Sequence, residues 1–166
     1  MTRSDSHTAL AVLALAAQTA ERDTERAMSQ ENVEIVRRFM AASQEAFATA
    51  ELATAFPADT VSADFEWILP RGLDGKAVWT GVEEATEFLR LWTDQFDDFS
   101  IDVVRLVDVG DERVAVLLHQ SATGKESGVP VVWDVGMVFE LSDRRIVRGR
   151  NYVSHADALK AAGLSE

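Results

Sequence analysis

The 166-residue sequence contains no cysteine, three prolines, one tyrosine and three histidines. Without cysteine there can be no disulfide, no thiolate nucleophile and no thiolate metal ligand. The histidines lie far apart along the chain, and no two of them have a metal-ligand spacing such as H-x-x-x-H. We therefore expect no metal site and no other cofactor.

Basic residues are also scarce, since 16 Lys and Arg face 28 Asp and Glu, for a net charge of −12. This balance argues against a nucleic-acid-binding surface, which needs clustered cations, and against docking on anionic lipid. No apolar run is long enough to cross a bilayer. We interpret the acidity as a source of solubility and expect one domain in a cytoplasmic protein without nucleic-acid or membrane partners.

The N-terminal segment is rich in alanine. Residues 9–17 form a short apolar run after Arg3, which suits a weak signal peptide, a dispensable extension or an upstream start-codon assignment. Ser29 has the pattern of a helix N-cap, with acidic residues in the turn that follows. The sequence therefore predicts a domain over residues 28–166, preceded by an extension over residues 1–27 that is helical or disordered.

Apolar periodicity and the turn residues divide the rest of the chain into helices and strands. The patterns predict helices over residues 30–48, 51–56, 82–96 and 155–162, and strands over residues 61–69, 100–109, 113–122, 131–141 and 146–153. Pro70 is expected to end the first strand, and residues 71–76 to form a loop. This order predicts an α+β fold in which a curved antiparallel sheet, with the helices gathered on one face, forms a cone around an apolar pocket.

Four segments of the chain resemble the SnoaL-like branch of the nuclear transport factor two superfamily. They are a helix start at residues 31–39, a strand at residues 64–67, a hairpin at residues 138–147, and the end of the domain at residues 150–153 and 156–164. The resemblance implies a cone-shaped α+β fold over roughly residues 28–164. It does not imply one activity, because this scaffold carries isomerases, hydrolases, cyclases and non-catalytic binding proteins.

The catalytic groups of two relatives are missing from the matching positions. Limonene epoxide hydrolase uses an Asp-Arg-Asp set, and the resemblance implies Val114, Val116 and Asn151 at those places. Ketosteroid isomerase uses a carboxylate base and a tyrosine donor, for which this chain has Trp67 and Phe39. Valine, tryptophan and phenylalanine cannot serve as general bases, and neither can an amide. The resemblance therefore leaves open whether the protein is an enzyme.

The resemblance also implies which residues line the cone. They are mostly aromatic and branched side chains, and a plain apolar core is the alternative interpretation. Trp67 and Trp133 are expected to hold a ring-shaped apolar ligand, whereas Trp79 and Trp92 are expected to be partly exposed or at an interface. The expected lining consists of Phe39, Met40, Phe65, Trp67, Phe96, Phe99, Ile101, Val114, Val116, Leu118, Gln120, Trp133, Val135, Asn151, Tyr152 and Val153.

The candidate catalytic groups are His119, Asp134 and Asn151. Asn151 either offers a hydrogen bond to a ligand or is a core amide satisfied by the backbone. His119 and Asp134 can pair across neighbouring strands, and alternation along those strands favours the outer face for the pair. If both point outward, a catalytic site at the pocket has no acid-base pair.

The sequence leaves open whether Asn151 or Tyr152 of the last strand points inward. Pairing through the turn at Asp143 and Arg144 places Tyr152 opposite Val135, which conflicts with an inward Asn151. A β-bulge in the hairpin would remove the conflict.

Three functions are compatible with these patterns. The first is binding of a small apolar, polyketide-like or terpenoid-like molecule without evident catalysis. The second is a cyclase, isomerase or hydrolase that uses Asn151 with His119 or Asp134. The third is a structural domain that dimerises, and in each case we expect a homodimer formed through the sheet.

Overall fold

The first element of the computed structural model, which describes residues 3–73 and 75–165, is one helix of 47 residues, α1 (Arg3–Thr49). The expected helix start at Ser29 is wrong, because α1 runs through this position. No glycine or proline occurs in residues 1–49, and their Ala-, Glu- and Arg-rich composition has high helix propensity, so a capping residue alone does not end the helix.

The two halves of α1 have different surroundings. Residues 6–28 are exposed throughout, and the first buried side chain after them is that of Ile35. No helix of the described residues is long and apolar enough to cross a membrane. The division of the chain at residue 27 stays a prediction.

After a short 3₁₀ turn, Leu52–Ala55, the described part of the chain forms six strands and two further helices. The strands make one sheet in the order β2-β1-β6-β5-β4-β3. The elements are β1 (Val61–Leu73), β2 (Lys76–Thr80), α2 (Gly81–Thr93), β3 (Phe96–Gly110), β4 (Arg113–Gly124), β5 (Pro130–Ser142), β6 (Arg145–Tyr152) and α3 (His155–Ala161).

The α+β fold is confirmed, but the sheet is mixed, because β1 and β6 run parallel. The sequence patterns missed β2, a five-residue edge strand that pairs with β1. Pro70 does not end β1. The regular pairing of β1 with both β2 and β6 reaches Ile68, and only the pairing with β2 resumes, at Leu73. Pro70 lies in this gap, so its missing N–H breaks no hydrogen bond between strands.

The helices lie on both faces of the sheet, not on one as expected. We call the face covered by α1 and α2 the inner face, and the opposite face the outer face. Along β4, Val114, Val116 and Leu118 belong to the main core with α1 and α2. Leu117, one step away on the outer face, packs against Ala158 and Leu159 and so under α3. Both faces of β4 are therefore buried.

The inner face has a filled end and an open end. The filled end lies near the β5–β6 turn, where the ring of Phe39 is 5.4 Å from that of Phe139 and 6.5 Å from that of Phe65. The strand pairings place Arg71 and Gln120 at the opposite end, with Trp133 across from Gln120. The second end is therefore the less filled end of the inner face.

Docking of α3 depends on the absence of a side chain at Gly136. A Cβ at this position would overlap with Cβ of Ala158 and lie 3.1 Å from the backbone oxygen of Ser154. We expect Gly136→Ala to lower the free energy of unfolding by about 1–3 kcal/mol, as for other overpacked cores. Urea unfolding measures this loss.

The double variant Gly136→Ala, Ala158→Gly is the control, because it removes the atom that the new methyl group meets. It should recover part of the loss despite the low helix propensity of glycine. Strictly additive effects of the two substitutions would contradict the proposed contact.

Candidate ligand cavity

A cavity of about 360 Å³ lies between the inner face of the sheet and the helices α1 and α2. Its lining is predominantly apolar and contains three tryptophans. The lining residues are Phe39, Met40, Ser43, Phe47, Trp67, Leu69, Pro70, Arg71, Phe88, Leu89, Trp92, Phe99, Ile101, Leu118, Gln120, Trp133, Asp134, Val135, Met137, Asn151, Tyr152 and Val153.

Aromatic rings form two walls of this cavity. On one side the ring of Trp67 lies 5.0 Å from that of Phe88. On the other, Trp133 contacts Trp92 edge-on at 6.1 Å and lies 6.2 Å from Phe99. Rings that contact one another hold flat surfaces in place, which suits a ring-shaped ligand.

Four residues of the expected lining do not reach the cavity. Phe65, Val114 and Val116 face inward, but they are fully buried in the filled end of the cone. Phe96 lies at the rim and packs on Trp92 and Trp133, with ring centroids 5.2 and 5.6 Å away. The remaining members of the expected set do line it.

Helix α2 supplies a wall that the sequence patterns did not assign to the cavity. Phe88, Leu89 and Trp92 lie on the apolar side that the helical spacing of α2 had indicated, and this side faces the cavity. Trp92 is therefore a lining residue. Trp79 is only 5% exposed and packs 5.7 Å from Phe88, so the expectation of a Trp79 that is partly exposed or at an interface is wrong.

Asn151 is held in the cavity wall by a hydrogen bond from Trp67. The indole N–H of Trp67 donates to Oδ1 of Asn151 at 2.8 Å. Because an indole nitrogen can only donate, the amide must turn its oxygen toward Trp67. The NH₂ group of Asn151 then remains as a donor, and it makes no hydrogen bond within the described residues.

The inward position of Asn151 results from a β-bulge in the β5–β6 hairpin. Leu141 pairs with Ile146, whereas Glu140 pairs with Arg148, so Val147 is an extra residue. Asn151 consequently lies opposite Met137, a cavity residue. Tyr152 lies opposite Gly136 and packs with the residues under α3, although it also borders the cavity.

Ser43 and Gln120 are further polar residues of the lining that have no side-chain partner in the described part of the chain. Ser43 of α1 is 6% exposed and Gln120 of β4 is half-buried, and neither side chain makes a hydrogen bond there. The cavity therefore offers a hydroxyl and two amide groups to a ligand.

A family model for the SnoaL-like domain matches residues 36–149. The chain belongs to this family. A comparison with curated protein sequences finds no significant match.

Several solved structures share the fold of this SnoaL-like domain. An NTF2-like protein of unknown function from Burkholderia pseudomallei is 20% identical, covers 78% of this chain and 95% of its own, and superposes with a TM-score of 0.61. A putative SnoaL-like polyketide cyclase from Jannaschia sp. CCS1 is 18% identical over 82% and 94% of the chains, with a TM-score of 0.61. TerC, co-crystallised with polyporic acid, is 16% identical over 80% and 98%, also at 0.61.

The candidate acid-base pair of the SnoaL-like domain forms, but away from Asn151. Nδ1 of His119 lies 2.9 Å from Oδ1 of Asp134, and the two residues are directly paired across β4 and β5. His119 lies between the inward Leu118 and Gln120, so alternation places it on the outer face, and it does not line the cavity. Asp134 borders the cavity at its rim.

A second histidine completes the cluster at the start of α3. Nε2 of His155 donates to the backbone oxygen of Leu118 at 2.8 Å and lies 3.9 Å from Oδ1 of Asp134. The hydrogen bond from His119, followed by the charge of His155, lowers the pKa of Asp134 below its ordinary value. Within the described residues, no group of His, Asp or Glu side chains is placed to hold a metal ion.

The Asp134 interaction gives a pH prediction. Since the pKa of Asp134 is lowered in the folded state, its stabilising contribution is present above the unfolded pKa and lost as the pH falls through the folded value. We expect His119→Ala to raise the pKa of Asp134 toward its ordinary value. An NMR titration of the Asp134 carboxyl carbon measures this shift.

His7→Ala is the matched control, because His7 is an exposed residue of α1 that does not contact Asp134. It should leave the titration of Asp134 unchanged. An Asp134 titration that is the same in the wild type and in His119→Ala would contradict the assigned cause.

Proposed function

We propose that this SnoaL-like domain binds a flat, ring-containing apolar molecule that carries a carbonyl or a similar hydrogen-bond acceptor, as polyketide-like and terpenoid-like molecules do. The observation that carries the proposal is the oriented amide of Asn151 in an otherwise aromatic wall. Apolar pockets with a few placed polar groups are typical small-molecule sites, and the volume falls within their usual range of about 300–1,000 Å³.

The orientation of the Asn151 amide determines whether it binds a hydrogen-bond donor or an acceptor of the ligand. With its oxygen engaged by Trp67, Asn151 presents N–H donors to the cavity. A buried donor without an acceptor is costly, and a ligand carbonyl removes that cost. An apolar hydrocarbon cannot do so and should bind less tightly.

The printed names of two structural neighbours are consistent with this ligand class. One is a putative polyketide cyclase, and the other was crystallised with polyporic acid. Both are under a fifth identical to this chain, so the likeness concerns the fold. The ligand class proposed for this chain rests on its own cavity lining.

A catalytic function would need an acid-base pair beside the ligand. His119 and Asp134 make their hydrogen bond on the outer face, while Asn151 faces inward. A cyclase, isomerase or hydrolase that uses Asn151 with either residue therefore lacks a pair assembled in the cavity. We accordingly propose binding, not catalysis, as the function.

Dimerisation through the sheet is a separate proposal. Val104 and Val132 are more than half exposed, at 58% and 67%. Such residues can contribute to a contact between copies of the chain, but scattered exposed valines are also normal on monomers. The homodimer stays a prediction.

Occupation of the cavity can be tested with phenylnaphthylamine, a neutral aromatic dye that becomes fluorescent in apolar surroundings. We expect the wild type to bind it and Ser43→Leu to weaken binding by about tenfold or more, because the larger side chain takes space that the dye needs. A fluorescence titration gives both dissociation constants.

Ala41→Leu is the matched control, since Ala41 is exposed on the same helix. Its affinity for the dye should equal that of the wild type. If the wild type does not bind the dye, or if both variants bind it equally well, the proposed binding function is wrong.

The role of Asn151 can be tested with fluorenone and fluorene, which differ only in a carbonyl group. We expect the wild type to prefer fluorenone by about two- to tenfold, the usual range for one neutral hydrogen bond. Asn151→Leu should abolish this preference and leave the affinity for fluorene nearly unchanged. Quenching of the cavity tryptophans reports binding.

Gln120→Leu provides the control for removal of an amide from the same cavity. It should preserve the preference for the ketone, because Asn151 is the group assigned to the carbonyl. Loss of the preference in this variant, or its survival in Asn151→Leu, would show that another group selects the ketone.

A further inference from the structure

We propose that the ligand of this cavity is an acidic amphiphile whose ring system lies among the aromatic walls and whose anionic oxygen group pairs with Arg71 at the open end. The inference rests on the proposed binding function and adds the charge of the ligand to it. The anionic oxygen can belong to a carboxylate, a sulfonate or an ionised enol, which share the same pairing chemistry with a guanidinium group.

Arg71 continues the cavity wall along β1. Trp67, Leu69, Pro70 and Arg71 all line the cavity, so β1 follows the cavity wall through its irregular stretch after Ile68. Glu66 has the opposite facing, since its carboxylate accepts a hydrogen bond from Arg148 at 3.2 Å on the outer face. Arg71 is therefore part of the cavity wall, whereas Glu66 is not.

Arg71 also lies where ligand and solvent meet. The parallel pairing of β1 with β6 brings the end of β1 to the open end of the cone, beside Val153. Arg71 is exposed, whereas Trp67 is buried. A molecule with its rings against Trp67 would carry its other end past Arg71 toward water.

The charge of Arg71 is unpaired within the described residues, where no carboxylate forms an ion pair with it. In contrast, Arg148 is paired with both Glu66 and Glu140. An unpaired guanidinium in a chain of net charge −12 is available to a ligand anion.

The other charged residue of the lining is already engaged. Asp134 accepts the hydrogen bond from His119 and lies near His155. A cationic ligand would therefore compete with two histidines for this carboxylate. The free charge at the cavity is thus positive, which favours a ligand with a negative group.

Two related dyes distinguish the contribution of the ring system to binding from that of the negative charge. Phenylnaphthylamine is neutral, and anilinonaphthalene sulfonate has the same rings with one sulfonate. We expect Arg71→Gln to weaken binding of the sulfonate dye by about three- to fivefold, as for a solvent-exposed ion pair, and to leave the neutral dye unchanged. Arg71→Lys should retain the sulfonate affinity to within about twofold, since it keeps the charge.

Arg105→Gln is the matched control, because Arg105 is exposed on β3, does not line the cavity and changes the net charge equally. It should not alter the affinity for either dye. If Arg71→Gln and Arg105→Gln weaken binding of the sulfonate dye equally, the effect comes from the net charge of the protein, and the proposal is wrong. The gap between the wild type and Arg71→Gln should also narrow as salt is added.

The remaining outcomes distinguish this inference from the proposed function. If the neutral dye binds and Arg71→Gln leaves the sulfonate dye unchanged, only the acidic-ligand proposal is wrong. If Arg71→Gln weakens both dyes equally, Arg71 acts through the shape of the site, and the proposal is again wrong. If the wild type does not bind the neutral dye, the binding function itself fails. Near-UV circular dichroism verifies that each variant is folded.

Discussion

The register of β6 depends on one extra residue, Val147, which bulges out of the pairing between β5 and β6. Beyond this bulge, Asn151 lies opposite Met137 and faces inward. There Oδ1 of Asn151 accepts the hydrogen bond from Trp67. A one-residue shift moves every side chain of a strand to the other face, so without the bulge the cavity would receive Tyr152 in place of the amide.

The same strand joins the two halves of the sheet. It pairs in parallel with β1 and antiparallel with β5, so it brings Trp67 and Asn151 from positions 84 residues apart into contact. The hydrogen bond between them fixes both the indole and the amide in the cavity wall. The orientation of the Asn151 amide therefore rests on the pairing of β6 with both β1 and β5.

The outer face has a separate chemical role. His119, Asp134 and His155 connect β4, β5 and the start of α3, next to the apolar contacts of Leu117 with Ala158 and Leu159. Through His155 these groups link the start of the last helix to the sheet. The cavity and the histidine cluster therefore share the strands β4 and β5, with His119 on the outer face and Asp134 also at the rim of the cavity.

The inward facing of most lining residues was predictable, because alternation along a strand and helical spacing depend only on local sequence. Phe65, Val114 and Val116 are inward as expected, yet they fill the closed end, where Phe39 and Phe139 meet them. No local pattern separates a side chain that fills a core from one that lines a cavity. The distinction depends on where the strand lies in the sheet, and α2, β2 and the parallel pairing decide that position.

By itself, the sequence determined the α+β class, the family resemblance, the inward side of most strands and the rarity of ionisable groups among the candidate lining. The resemblance rests on four sequence segments in their order along the chain, and the other properties follow from local periodicity and composition. Only the tertiary structure decided that α1 is continuous, that α3 covers the outer face, that Trp79 is buried and that Asn151 turns inward. The continuity of α1 follows from a helix propensity that one capping residue does not interrupt. The other three depend on contacts between segments distant in the chain, which no local pattern encodes.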